Sequence, residues 1–260
     1  MLLEPLEMSF WRAPIDNDFG AFKVHKRPKD STYFRWRNAG KNALLKNVSV
    51  LSNKSNTSTF AIRYTFYHPV IDAHNEITYT VNATGEIHVK SQLQPKETSN
   101  LQFMPRYGIR LAIDKNLDAV HYYGSGPFEN YSDRNTAAYI GSYSAKVADF
   151  YVPYIRPQEN GYRTQVRTVS FGKTSGITFT ADKEISFSAH HNPLEDFDPG
   201  NTKAQRHTTD IQPKDKIWLH IDYKQVGVGG DNSWDKSGLA HKKYRLNPNN
   251  CNFGFTISRK

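Results

Sequence analysis

Residues 227–234 read Gly-Val-Gly-Gly-Asp-Asn-Ser-Trp. Glycine at three of these positions lets the backbone turn tightly and approach another surface closely. An Asp-Asn-Ser run can hold such a turn through side-chain to backbone hydrogen bonds. Trp234 then leaves a rigid support. An indole presented this way is a platform for the apolar face of a sugar, whose C–H groups pack on a π surface. The competing reading is a loop tryptophan that plugs a core, and the octapeptide alone favours that plug.

Other residues with chemical potential are less ordered in sequence. His190 and His191 are adjacent on a predicted strand, so their side chains point to opposite faces. At most one of them could join a metal site on a given face. With His121 and His207 unplaced, no zinc site is expected. Cys251 is the only cysteine, which rules out an intrachain disulfide and a thiolate metal cluster. Acid–base work on a sugar ring needs a general acid and a general base, and His190, His207 and Glu159 are available for it.

The elements that must position these residues read as strands. Residues 59–67, 76–83 and 86–93 alternate apolar and polar with period two, the mark of half-buried antiparallel strands. Ala83-Thr84-Gly85 supplies a hairpin turn between the last two. Further strands are expected at 107–113, 119–123, 163–171, 177–181, 185–190, 217–223 and 253–257. Residues 130–157 read as a long irregular, Tyr-rich segment, and 193–204 as holding one short helical turn. Residues 10–20 read as ordered loop. The best helix candidate is 31–45, capped by Asp30 or Ser31, with Phe34, Leu44 and Leu45 toward a core.

Ten or more strands without βα alternation predict an all-β fold, a large two-sheet antiparallel sandwich. The expected organisation is one domain over 1–260, with an N-terminal loop and helix segment at about 9–46 and the sandwich from about 47. An aromatic content of 13% agrees with strands. No long apolar run is present, so no membrane span is expected. Residues 1–5 are too short and too acidic for a signal peptide. The net charge of +9 raises the question of a nucleic-acid partner. The cations are scattered, however, and their densest group, Lys23, Lys26, Arg27 and Lys29, reads as a solvated loop. The compartment is not legible.

Three more segments are richer in Gly, Pro, Asn and charge than a plain sandwich loop requires. They are Phe10–Gly20 (Phe-Trp-Arg-Ala-Pro-Ile-Asp-Asn-Asp-Phe-Gly), Gly124–Arg134 (Gly-Ser-Gly-Pro-Phe-Glu-Asn-Tyr-Ser-Asp-Arg) and Pro153–Gly161 (Pro-Tyr-Ile-Arg-Pro-Gln-Glu-Asn-Gly). With the loop ending in Trp234, and in this order, they resemble the C-terminal domain of the β-galactosidases of glycoside hydrolase family 2, a separate small chain in some members. The stretch 36–40 and the Arg206-His207 pair are similar too. The resemblance covers nearly the whole chain and reverses the reading of Trp234 from plug to platform.

The resemblance implies a large β-sandwich similar to the galactose mutarotase fold. It also implies that the two catalytic glutamates of a retaining mechanism, about 5 Å apart, and the magnesium ligands lie on a separate barrel domain. The chain itself is then expected to bind no cofactor or metal and to be inactive alone. Its partners would be that barrel and a galactoside or glucose-type sugar, with any oligomer formed through the parent enzyme. By the same resemblance Trp234 stacks on the leaving or accepting sugar. Gly20 is the hinge of a mobile loop at about 20–29, and Phe22 departs from the small polar residue expected there. Arg12, Asp16 and Asp18 are expected to form a charge-paired anchor, Glu129, Asp133 and Arg134 a hydrogen-bonded cluster, and Glu159-Asn160-Gly161 a turn. The alternatives are a stand-alone aldose mutarotase and a carbohydrate-binding module.

Overall fold

The computed structural model describes residues 2–22, 33–51, 58–99, 101, 103–200 and 206–260. Among them are twelve strands. The first six are β1 (Glu7–Ser9), β2 (Leu44–Val50), β3 (Thr59–His68), β4 (Ala73–Asn82), β5 (Ile87–Pro95) and β6 (Arg106–Asp114). The others are β7 (Ala119–Gly126), β8 (Tyr139–Lys146), β9 (Arg163–Phe171), β10 (Ile177–His190), β11 (Lys216–Gln225) and β12 (Asn252–Arg259). Two short helices, α1 (Asp16–Ala21) and α2 (Leu194–Phe197), lie in the connections.

The all-β expectation holds, but the two layers are one continuous antiparallel network. Its main path runs β1-β6-β11-β10-β12-β5-β4-β3-β2, and β9, β7 and β8 branch from β10. The pivot is β10, whose fourteen residues were read from sequence as two strands. Its first half pairs with β12 and its second half with β11, while β9 follows both halves. The ladder to β9 shifts between Thr180 and Ile185, where the chain bends. A strand that bends at a bulge is a usual way to turn a sheet's corner. The curled sheet closes over one apolar cluster that includes Val89, Tyr107, Phe171, Phe187, Leu219 and Phe255.

The structure corrects the N-terminal reading. Residues 31 and 32 lie outside the described residues, and the rest of the expected helix is a 3-10 turn (Phe34–Asn38) followed by β2. Phe34 is buried, but Leu44 and Leu45 are exposed, because β2 is the sheet's edge and, among the described residues, pairs only with β3. The sheet therefore begins before residue 47, with β2 at Leu44 and with β1 paired to β6. Residues 16–21 are helical rather than loop. The segment expected to be irregular contains β8, paired along its length with β7. The hairpin at residues 83–85 forms as expected, with Gly85 at φ 80°.

Candidate functional site

The four motif segments meet on one face. The first is fixed by Arg12, which is buried. Its Nη2 donates to Asp18 Oδ1 at 3.0 Å, and its Nη1 donates to the carbonyls of Val226 and Gly227 at 2.7 and 3.2 Å. Asp18 also accepts from Tyr33 Oη at 2.8 Å and from the Ile15 amide at 3.1 Å, which ties down the start of α1. Burial alone would lower the Arg12 pKa, but Asp18 more than offsets it, so the net direction is up. One guanidinium thus joins the first motif to the start of the glycine-rich loop. The expected anchor is present in Arg12 and Asp18. Asp16 turns outward instead, to Arg156 at 2.8 Å.

The glycine-rich loop is built as its composition suggests. Asn232 Oδ1 accepts from the amides of Trp234 and Asp235 at 3.1 and 3.3 Å, an Asx-type turn. Asp235 Oδ1 accepts from Asn232 Nδ2 and from the Ser237 amide, which starts the next turn of chain. The Trp234 indole stands on this support 73% exposed.

Gly20 lies directly behind it. A Cβ at Gly20 would overlap the Ser233 carbonyl and crowd the Trp234 amide. Asn17 of the same helix donates to the Gly238 carbonyl at 3.1 Å. The two residues singled out from sequence, Gly20 and Trp234, are therefore in backbone contact. The expected left-handed freedom is not what Gly20 uses here: it is helical, and among the described glycines positive φ is confined to Gly85, Gly161, Gly172 and Gly200. Close approach is the physical reason for glycine at this position. Phe22 stacks on Tyr33 with centroids 4.2 Å apart. Residues 23–29 of the expected mobile loop lie outside the described residues, as does the basic group at Lys23, Lys26, Arg27 and Lys29.

The middle motifs differ from expectation at one residue. Glu129 accepts from Arg134, Tyr154 and the Gly161 amide, as a hydrogen-bonded cluster should. Asp133 does not join it. Its carboxylate accepts from the amides of Val228 and Gly229 at 3.0 and 2.8 Å, and a Cβ at Gly227 would fall on it. No sequence signal points to this contact across 95 residues, because the acceptors of backbone amides carry no pattern. A cavity of about 290 Å³ opens where the motifs meet, among Asp16, Asn17, Arg134, Tyr154 and Gln158.

Beneath this face lies a second buried arginine that sequence reading missed. Arg106 contacts Glu159 through Nη2 at 2.9 Å and Asp222 through Nε at 3.0 Å, and all three side chains are buried. Gln225 Nε2 also donates to Glu159, at 3.1 Å. Burial raises the Asp222 pKa to about 7, against the pull of Arg106. Glu159, expected in a turn and available for acid–base work, is thus a core ion-pair partner. His190 is buried with Nε2 on the Asn160 carbonyl, and burial lowers its pKa to about 4. His191 contacts the Lys216 carbonyl instead, in line with the opposite-face reading. Glu159 and His190 share a cavity of only about 10 Å³, too small for a sugar ring, and His207 is exposed on a separate turn. Among the described residues no three His, Cys, Asp or Glu side chains are grouped to hold a metal ion.

Sequence comparison with known proteins agrees on one family. The profile of the β-galactosidase small chain matches residues 1–257. A β-galactosidase of Pseudoalteromonas haloplanktis is 34% identical over 99% of this chain, and one of Oenococcus oeni is 33% identical over 100%. This chain spans 24% of the length of each of these two relatives. Among solved structures, an aldose epimerase homologue from C. elegans aligns at 9% identity and a TM-score of 0.40, covering 83% of this chain and 69% of its own.

Proposed function

Since the chain belongs to the β-galactosidase small-chain family, we propose that it completes the active-site wall of a retaining β-galactosidase acting on terminal β-D-galactosides such as lactose. The two catalytic glutamates and the magnesium ligands then belong to the remaining three-quarters of the enzyme, on a barrel domain. The face where the four motifs meet docks against that barrel. Trp234 projects into the barrel's pocket and stacks on the sugar that leaves or accepts. Gly20 lets α1 sit against the Trp234 backbone and serves as the hinge of the loop that follows.

The observation that carries this reading is the exposed indole on an Asx turn braced from behind by Gly20 and α1. A tryptophan so rigidly held yet so open to solvent costs apolar exposure in the lone chain. A second surface that covers it accounts for both properties. Stacking should contribute on the order of 1 kcal/mol to binding of the second sugar.

The test is kinetic. In the assembled enzyme, Trp234→Ala should raise the inhibition constant for glucose as acceptor roughly 5-fold and change bond cleavage less. An unchanged acceptor constant rejects the assignment. The chain alone should not turn over a nitrophenyl galactoside. Sub-millimolar binding of lactose by the chain alone would replace this reading with a carbohydrate-binding module.

A further inference from the structure

Three neighbouring strands lose regularity at one level of the sheet. In β9, Gln165 is held at φ 54°, a left-handed value that is unusual for a residue with a side chain. In β10 the ladder to β9 shifts on both sides of Ile185. In β11 the register to β6 shifts between Asp222 and Lys224. Bulges of this kind re-aim side chains and gather at binding sites, and backbone strain persists where the surroundings hold it. Here they coincide with a cavity of about 260 Å³ that all three strands line, and over which residues 243–246 fold.

The lining is polar and unevenly charged. Lys224, Lys243 and Arg245 face it against a single carboxylate, Glu184. Among the described residues, Lys224 and Lys243 have no ion-pair partner. Their ammonium groups lie 5.2 and 4.8 Å from the rings of Tyr223 and Tyr244, which line the same cavity. Gln225 supplies an independent sign. It is 5% exposed, its amide nitrogen is committed to Glu159, and its Oε1 is buried without a donor among the described residues. An acceptor left unpaired beside a polar cavity suits a ligand hydroxyl. Two half-buried tyrosine rings suit the apolar face of a sugar. The volume falls below the roughly 300–1,000 Å³ of sites for drug-sized ligands, which suits a single sugar ring.

We propose that this cavity binds a monosaccharide carrying an anionic group, either a phosphate or a carboxylate. Lys243 and Arg245 take the anion, Gln225 and Glu184 accept from hydroxyls, and the tyrosines pack on the ring. The Gly227 amide donates to the Tyr244 carbonyl at 3.0 Å, so the cavity wall is continuous with the loop that carries Trp234. The proposal does not depend on the role given to Trp234.

Calorimetry on the 260-residue chain tests it, with glucose 6-phosphate and galacturonate as probes and with galactose and inorganic phosphate as controls. At least one anionic sugar should bind, roughly 10-fold or more tightly than either control. The sugar that binds tells phosphate from carboxylate recognition. Lys243→Gln should weaken it about 10-fold without lowering the melting temperature, because Lys243 is exposed. Trp234→Ala should leave it unchanged. No binding of either probe at 10 mM, as about the weakest affinity worth reading, overturns the proposal. So does inorganic phosphate binding as well as the sugar, or binding that ignores both Lys243→Gln and Arg245→Gln.

Discussion

Arg12 and Arg106 are both buried arginines that tie a motif loop to the sheet region, yet their surroundings differ by one carboxylate. Arg12 has a single acidic partner, Asp18, and spends its other donors on backbone carbonyls. Arg106 has two, Glu159 and Asp222. The first centre is a balanced pair and works as a fixed clamp under the Trp234 loop. The second carries one acid too many for its cation, and burial resolves the excess by keeping a proton on Asp222 up to about pH 7. Equal burial therefore leaves one cation matched to one carboxylate and the other beside a second acid that titrates.

The largest expected effect breaks the balanced centre. Arg12→Met leaves Asp18 buried without its cation and should cost about 3–5 kcal/mol of stability, read by urea unfolding. Adding Asp18→Asn should recover part of that loss, since Tyr33 can still donate to the amide oxygen. A loss below about 1 kcal/mol would mean that Arg12 behaves as a surface charge.

The second prediction concerns the excess acid. The Asp222 pKa in the folded chain lies above its ordinary 3.8, so between about pH 4 and 7 the folded state binds more protons than the unfolded. Stability should therefore fall as pH rises through that window, by at most about 1.4 kcal/mol per pH unit. Asp222→Asn should flatten this slope. An equal slope in the variant would assign the titration to another group.

A smaller effect probes what the Arg12 clamp positions. Gly20→Ala places a methyl on the Ser233 carbonyl and should cost about 1–3 kcal/mol as overpacking. In the assembled enzyme it should also weaken the acceptor sugar, because the Trp234 support must shift. Full retention of both would remove close approach as the reason for this glycine.

The smallest effect comes from an exposed counterpart. Glu195 contacts Arg110 at 2.8 Å and Lys41 at 3.0 Å. Partial burial would raise its pKa, but Arg110 and then Lys41 draw it down to about 2. Its stabilisation should be present above about pH 4.5 and fade as pH falls toward 2. Because half of this side chain is in solvent, Glu195→Gln should cost under about 1 kcal/mol at pH 7. A cost matching that of Arg12→Met would show that burial is not what separates these centres.

What the sequence made legible follows the same division between local and distant causes. The alternation in residues 59–67, 76–83 and 86–93 located β3, β4 and β5; burial alternates in β5 and the first half of β4, whereas most of β3 is half-buried. The strand β8, Tyr-Ile-Gly-Ser-Tyr-Ser-Ala-Lys, leaves little mark in the sequence because its inner face, with Tyr143 and Ala145 on the core, is only half-buried. Leu44 and Leu45 have the spacing of a helix's core face, yet they are exposed on an edge strand among the described residues. At the site, the Asx turn under Trp234 is local and could be read from Asp-Asn-Ser. The roles of Asp133, Arg106 and Asp222 depend on partners far away in the chain and left no local mark. Gly20 stands out in the sequence for its conformational freedom, whereas the structure uses its lack of a side chain.

The position of β12 bears on how the chain is made. This last strand lies between β10 and β5, in the middle of the path rather than at its rim. A ribosome delivers it after the other eleven described strands. Until residues 252–259 emerge, the nascent polypeptide holds two half-sheets with facing raw edges, each a template for pairing with a neighbour. The sheet can therefore close only after residues 252–259 have emerged, and a chain lacking them would be apt to aggregate.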